Sequence, residues 1–217
     1  MRMSIDAMRR DFDMGSLRKR DANADPIEQF RKWFDEALTA NKGEWFEPNA
    51  MTLATVDPSG MPDARIVLMK SFDQRGFVFY TNYRSTKGQQ LEEHPYATLV
   101  FYWPALERQV KILGGVSKVS EEQSDEYFLS RPKGSQLGAM ASEQSKPIAN
   151  RKVLESELET LEDLFADREI ERPEEWGGYC VKPVKIEFWQ GRTNRLHDRL
   201  LYSQDEQGAW SIQRISP

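Results

Sequence analysis

The sequence predicts an α+β chain, mainly β, built as an antiparallel barrel with flanking helices. Two observations carry this. Strand-length apolar runs follow one another closely and are joined by tight turns such as Asp57-Pro58-Ser59-Gly60 and Asp73-Gln74-Arg75-Gly76. Helical patterns occur in a few capped segments and do not alternate regularly with strands, which argues against βαβ units.

Taken in order, residues 1–24 are polar and Arg-rich, with Arg9-Arg10 and Arg18-Lys19-Arg20-Asp21, and read as a mobile arm that orders only against something else. Asp25-Pro26 opens a helix that ends before Gly43 and sets Ile27, Phe30, Phe34 and Leu38 on one face. Strands are expected over 50–56, 63–72, 77–81, 97–103 and 109–119, with Ser85 capping a short helix that reaches His94. Ser120-Glu121-Glu122-Gln123 is a capping box for a helix to about Ser130. A helix over 151–165 carries an apolar stripe of Leu154, Leu158, Leu161 and Phe165, read as core packing. Strands return at 178–189, 195–202 and 209–214. No repeat or linker divides residues 25–217, which are read as a single domain.

Composition narrows the function. With 39% apolar and 30% charged residues, the 217-residue chain suits a globular protein with a sizeable core. Its net charge of −5 argues against nucleic-acid binding, which needs an extended basic surface. Apolar runs are strand-sized, so no membrane helix is expected, and the N-terminus lacks the apolar stretch of a secretory signal. A single Cys180 excludes an internal disulfide and suggests a reducing, cytoplasmic location. Two distant histidines, His94 and His197, make a histidine-rich metal centre unexpected. Dinucleotide, Walker-type and hydrolase-elbow motifs are absent.

Against this acidic background, positive charge is concentrated locally. In Arg195-Leu196-His197-Asp198-Arg199, strand alternation would put Arg195, His197 and Arg199 on one face, as a site for an anion requires; a solvated face with surface ion pairs is the plainer alternative. Arg65 and Lys70 bracket an apolar strand at a spacing of five, hence on opposite faces unless a bulge intervenes, which suggests two anionic groups on two sides, strand-end charges in solvent being the plainer alternative. The run Tyr80 to Lys87 joins a strand end to a helix start rich in hydroxyls and backbone N–H groups, which suits phosphate, although taken alone it reads first as a common turn. Ser130-Arg131-Pro132-Lys133-Gly134-Ser135, with Tyr127 one helical turn earlier, reads as a second oxyanion clamp on a Pro/Gly loop. Several such clusters suggest two phosphorylated ligands held close together.

These residues occur in an ordered set: Arg65–Lys70, Phe79–Asn82, Leu106-Glu107-Arg108-Gln109-Val110, Tyr127-Phe128 with Ser130-Arg131-Pro132, Ser135-Gln136, Gln144-Ser145, Phe188-Trp189-Gln190-Gly191 and Arg195–Arg199. The set resembles the pyridoxamine 5′-phosphate oxidase family over nearly the whole chain, from about Arg9 to Pro217. The resemblance implies a split β-barrel FMN-binding fold working as a homodimer, with FMN at the subunit interface. By the same resemblance, FMN would be held by Arg65, Ile66, Val67, Leu68, Met69, Lys70, Tyr80, Thr81, Thr86, Lys87, Gln109, Gln144, Ser145, Trp189 and Arg199. Arg9, Lys70, Tyr127, Arg131 and Ser135 would bind substrate, and Arg195 and His197 would act at the reacting carbon. The implied reaction oxidises pyridoxamine or pyridoxine 5′-phosphate to pyridoxal 5′-phosphate with O₂ as acceptor. Alternatives are a flavin- or pyridoxal-phosphate-binding protein without turnover, and an NAD(P)H-dependent flavin reductase, against which the second phosphate cluster speaks. Three departures from the family pattern stand out: Phe12 where tyrosine is common, Thr86 where a basic residue often precedes the lysine, and Glu47 where aspartate is expected.

Overall fold

The computed structural model describes residues 4–5, 10–40, 43 and 46–217. Nine strands, β1 (Ala50–Val56), β2 (Pro62–Leu68), β3 (Ser71–Asp73), β4 (Gly76–Asn82), β5 (Tyr96–Trp103), β6 (Arg108–Lys118), β7 (Trp176–Gln190), β8 (Asp198–Gln204) and β9 (Trp210–Arg214), form a sheet in the order β2-β1-β5-β6-β7-β4-β3. Strand β8 adds to β7 and β9 to β8. Among the described residues, five α-helices flank them: α1 (Pro26–Ala40), α2 (Thr86–Glu93), α3 (Glu121–Ser130), α4 (Lys133–Met140) and α5 (Arg151–Leu164). Among the described residues no helix is long and apolar enough to cross a membrane.

The chain divides into two compact units, with β1, β5, β6 and β7 contributing residues to both. The first holds residues 1–53, 98–114 and 183–217. Its core is aromatic: Phe30 meets Phe101 at 5.1 Å and Trp103 at 5.9 Å, while Trp33 packs edge-on against Phe188 at 5.2 Å. Each such ring, fully buried, stabilises the unit by roughly 1.5–3 kcal/mol. The buried face of α1 is Ile27, Phe30, Trp33 and Ala37, which corrects the expected stripe: Phe34 is only half-buried and Leu38 is 51% exposed. At 3.6 residues per turn an i, i+3, i+4 pattern admits either stripe, and the larger Trp33 takes the inward position.

Residues 14–17 of the polar arm are bonded to this unit. The Met14 N–H donates to Glu107 Oε2 (3.0 Å), the Leu17 N–H to Asp198 Oδ2 (3.0 Å), and Arg192 and Arg214 donate to the carbonyls of Gly15 and Leu17.

The second unit holds residues 54–97 and 115–182. Its core joins Phe128, Leu137, Leu161, Ile170 and Trp176, with Tyr80, Tyr127, Leu158 and Phe165 packed around them. The α5 stripe therefore faces inward as expected, although only Leu161 is fully buried and Leu154 is half-buried. Ser85 caps α2 by accepting from the Gly88 N–H, Ser120 caps α3 by accepting from the Gln123 N–H (3.2 Å), and Asn150 caps α5 through the Lys152 N–H (3.0 Å).

Three expectations fail locally. The strand expected over 63–72 is interrupted: β2 ends at Leu68 and β3 starts at Ser71, with the Lys70 N–H bonded to the Val78 carbonyl (2.8 Å). The Pro/Gly loop after Ser130 is instead the start of α4, with Pro132 at its N-cap. The strand expected over 195–202 begins only at Asp198, because Asn194 (φ 55°) and Arg195 (φ 59°) lie in the left-handed region and form a turn. Strand alternation therefore does not place Arg195, His197 and Arg199 on one face.

Candidate active site

A cavity of about 900 Å³ opens in the second unit. Six elements converge on it, with Tyr127 coming from α3 and Trp176 from β7. Arg65, Ile66, Val67 and Leu68 come from β2, Tyr80, Thr81 and Asn82 from the end of β4, Lys87 from the first turn of α2, and Ser135 from α4. Lys70 lines the same cavity, which corrects the opposite-face reading: the break at Met69-Lys70 resets the alternation that would have separated it from Arg65. Four cations, Arg65, Lys70, Lys87 and Arg131, line the cavity, and no carboxylate is among its lining residues.

Three of the four are held in different ways. Arg65 donates to Thr55 Oγ1 (2.6 Å) and Gln90 Oε1 (3.2 Å) and pairs with Asp63, while Gln90 Nε2 donates in turn to Asp63 (3.3 Å). Lys87 is buried, with Nζ donating to Gln144 Oε1 (3.1 Å), an oxygen that also accepts from Thr81 Oγ1 (2.9 Å). Burial, and then the Arg65 charge, draw the Lys87 ammonium below the usual lysine range. The Arg131 carbonyl is fixed by Gln136 Nε2 (3.0 Å), and the guanidinium lies over Trp176 at 4.7 Å. Its Nη1 is buried with no hydrogen-bond partner, and burial lowers its pKa.

One wall is aromatic. Tyr80 and Tyr127 stack at 3.9 Å, and Trp176 lies nearly parallel to both, at 5.5 and 6.1 Å. Glycine at 178, paired with Tyr80 across β4 and β7, makes room for this wall: a Cβ there would meet Tyr80 Cε1 at 2.8 Å and Val119 Cγ2 at 2.6 Å.

Gln109, Trp189, Arg195, His197 and Arg199 belong to the first unit and are not among the residues lining this cavity. There the Trp189 ring meets His197 at 4.7 Å, and Phe12 packs edge-on against both at 5.8 Å. Trp189 and Arg199 are register partners across β7 and β8. Arg199 donates to Glu187 Oε1 (2.8 Å) and to the Ser216 carbonyl (2.8 Å), and Lys111 holds the other Glu187 oxygen (2.7 Å). Burial opposes ionisation of Glu187, but its bonds to Arg199 and Lys111 prevail and leave its pKa lowered.

Of the remaining expected residues, Met69 is buried away from the cavity lining, Thr86 is exposed at the start of α2, and Ser145 is exposed with φ 74°. Arg9 lies outside the described residues. Sequence reasoning did not single out Trp176, Ser142 or the Thr55-Asp63-Gln90 cradle of Arg65. Asp63 was legible, since two residues before Arg65 on one strand means the same face; Thr55 and Gln90 come from other elements and leave no local signal.

Comparison with known proteins places this arrangement. Residues 37–165 match the family described as Pyridoxamine 5′-phosphate oxidase, and residues 176–217 match the Pyridoxine 5′-phosphate oxidase C-terminal dimerisation region. A protein of Gloeothece citriformis named pyridoxine/pyridoxamine 5′-phosphate oxidase is 55% identical over 217 residues, covering all of both chains. Among solved structures, PhzG from Burkholderia lata, in complex with tetrahydrophenazine-1-carboxylic acid, is 30% identical with a TM-score of 0.84, over 91% of this chain and 95% of that one. A pyridoxamine 5′-phosphate oxidase-related, FMN binding protein from Nostoc punctiforme shares the fold at 22% identity and a TM-score of 0.70, over 87% of this chain and 97% of that one. The expected fold, a mainly antiparallel split barrel with flanking helices, is the one found. By sequence across two family regions and by fold, the chain belongs to the pyridoxamine 5′-phosphate oxidase family of oxidoreductases.

Proposed function

We propose that this protein is an FMN-dependent oxidase that converts pyridoxine or pyridoxamine 5′-phosphate to pyridoxal 5′-phosphate, with O₂ reduced to H₂O₂. It would work as a homodimer with FMN at the subunit interface, residues 25–217 serving as one FMN-binding domain and residues 1–24 as an arm. The observation that carries this reading is the cavity itself, four cations and a flat aromatic wall without a lining carboxylate, in a chain of this family. Such a lining suits planar ligands that each bear a phosphate.

The residues fit FMN on their own chemistry. A buried lysine, Lys87, whose Nζ donates to the neutral oxygens of Ser85 and Gln144 favours a neighbouring anion such as the FMN phosphate, and the Arg131 guanidinium nitrogen, buried without a partner, favours a second anion. Arg65, Lys87, Tyr80, Thr81, Gln144 and Ser145 would hold FMN, together with Gln109, Trp189 and Arg199. When bound, FMN supplies the two-electron acceptor for the C4′ carbon and returns those electrons to O₂.

The protein's own part is positioning. Lys70, Tyr127, Arg131 and Ser135 would grip the substrate phosphate, with Arg131 offering the planar, bidentate geometry that phosphate matches. Arg195 and His197 would orient the pyridine ring at its reacting end. Fixing a donor carbon against its acceptor supplies several kcal/mol of barrier lowering through effective molarity. In the net reaction the alcohol consumes one O₂ and yields the aldehyde and H₂O₂; the amine consumes water as well and releases ammonia.

Aerobic incubation of FMN-loaded protein with pyridoxine 5′-phosphate tests this. Pyridoxal 5′-phosphate and peroxide should appear in equal amounts. Absence of both would leave a binding protein without turnover.

A further inference from the structure

We infer that His197 is held as the Nε2–H tautomer and serves as a hydrogen-bond donor to the ligand's reacting end, not as a base. The carrying observation is a main-chain contact: the Arg192 N–H donates to His197 Nδ1 at 3.1 Å. A ring nitrogen that accepts from a backbone amide must present its lone pair, so in the neutral imidazole the proton resides on Nε2. No hydrogen bond to Nε2 occurs among the described residues.

The amide is not free to turn away. Gly191, just before it, donates to the Glu107 carbonyl (2.8 Å), and any Cβ at 191 would meet Phe12 Cβ at 2.8 Å. Glu107 is itself 1% exposed and in the left-handed region (φ 54°), with its carboxylate on Arg10 (2.8 Å) and the Met14 N–H (3.0 Å). The Arg192 side chain is tied to the Gly15 carbonyl (2.9 Å). The left-handed pair Asn194-Arg195 then brings the chain back so that residue 197 meets the amide of residue 192. Phe12 and Trp189 fix the ring plane.

Forming the imidazolium would set an Nδ1–H against the Arg192 N–H, donor against donor. A nearby charge opposes it too, that of Arg195 two residues away. The nearby carboxylate, Asp198, is already engaged by the Leu17 N–H (3.0 Å), Arg214 (2.6 Å) and Arg192 (3.8 Å). Burial and Arg195 accordingly hold the imidazole below the usual histidine range.

The tautomer stands on geometry alone, whereas the identity of the acceptor, an oxygen or amine nitrogen at the reacting end of a pyridine ligand, rests on the proposed oxidase reading. Since the chain has two histidines, ¹⁵N spectra of FMN-loaded protein resolve four ring nitrogens, and His197→Gln assigns those of His197. At neutral pH, Nε2 should show the protonated, pyrrole-type shift and Nδ1 the unprotonated one. An Nδ1–H tautomer or an imidazolium there overturns the inference. Turnover gives the second reading. His197→Gln keeps an N–H donor without a titrating nitrogen and should lose about tenfold in kcat, while His197→Leu should lose about a hundredfold or more. Equal losses in the two variants would mark His197 as a base. If the native protein shows no oxidation at all, the oxidase reading falls, and the nitrogen shifts still decide the tautomer.

Discussion

At Arg131 the fold leaves a guanidinium desolvated without a full set of partners. Trp176 and Phe128 lie against it at 4.7 and 5.8 Å, and Nη1 finds no acceptor. A charge held this way costs stability until an anion arrives, and under the proposed function it serves to bind the substrate phosphate. Arg131→Ala should therefore raise KM for the phosphorylated substrate roughly tenfold to a hundredfold while changing kcat less, as expected for one charge-assisted hydrogen bond of about 1.5–3 kcal/mol. Steady-state kinetics decide it, and an unchanged KM with a collapsed kcat would assign the residue elsewhere. Lys87 makes the same point through protons. Its folded pKa is lowered by burial and then by Arg65, so the folded chain binds fewer protons than the unfolded one in the window just below the ordinary lysine value. Stability from this residue rises with pH there, and at neutral pH the buried ammonium is a net burden. Lys87→Met should raise the melting temperature of the FMN-free protein by roughly 2–4 °C, equivalent to about 1 kcal/mol, and weaken FMN binding. Calorimetry of the FMN-free form and a flavin titration give the two readings, and a lower melting temperature would contradict the burial argument.

Between residues and the whole, the decisive events are interruptions of regular elements. The break between β2 and β3 brings Lys70 to the cavity of Arg65, and the left-handed pair at Asn194-Arg195 ends the face that strand alternation promised. The caps and the α5 stripe were legible in the sequence because they are local: Ser85, Ser120 and the Leu158-Leu161 stripe act within one turn or two of helix. The interruptions were not legible, because a strand of apolar residues carries no mark of where its hydrogen-bond partner shifts, and Pro132-Lys133-Gly134 reads equally as a loop or as a helix start. The candidate site was legible as a set of cations and hydroxyls, but the aromatic wall was not, since Trp176 joins Tyr80 and Tyr127 only through the pairing of β4 with β7. That pairing is open to a direct test. Gly178→Ala should push the Tyr80 ring out of its stack and cost about 1–3 kcal/mol by overpacking. Urea unfolding measures the loss, and a flavin titration should show weaker binding; stability within about 0.5 kcal/mol of the native protein would mean the wall yields without strain.

For the molecule as a whole, the question is which chain supplies which half of the chemistry. The phosphate-suited cavity lies in one compact unit, whereas Trp189, Arg195, His197 and Arg199 lie in the other, within the stretch of 176–217 that matches a dimerisation region. A site at the interface of a symmetric dimer occurs twice, and each copy draws on both chains if one chain gives the cavity and its partner the basic segment. Complementation follows from that symmetry. At a substrate concentration well below the raised KM, Arg131→Ala should turn over slowly for want of substrate-phosphate binding and Arg195→Ala for want of orientation at the reacting end, while both should still bind FMN. After dissociation and random reassociation of an equal mixture, half of the dimers pair one variant with the other. In those, one site collects both substitutions and the other collects neither, so about a quarter of native turnover should return. If both groups acted within a single chain, every site in the mixture would carry a lesion and the mixture would stay as inactive as its components. The result is read from peroxide release at fixed total protein, with flavin absorbance confirming equal loading and sedimentation confirming that the species is a dimer.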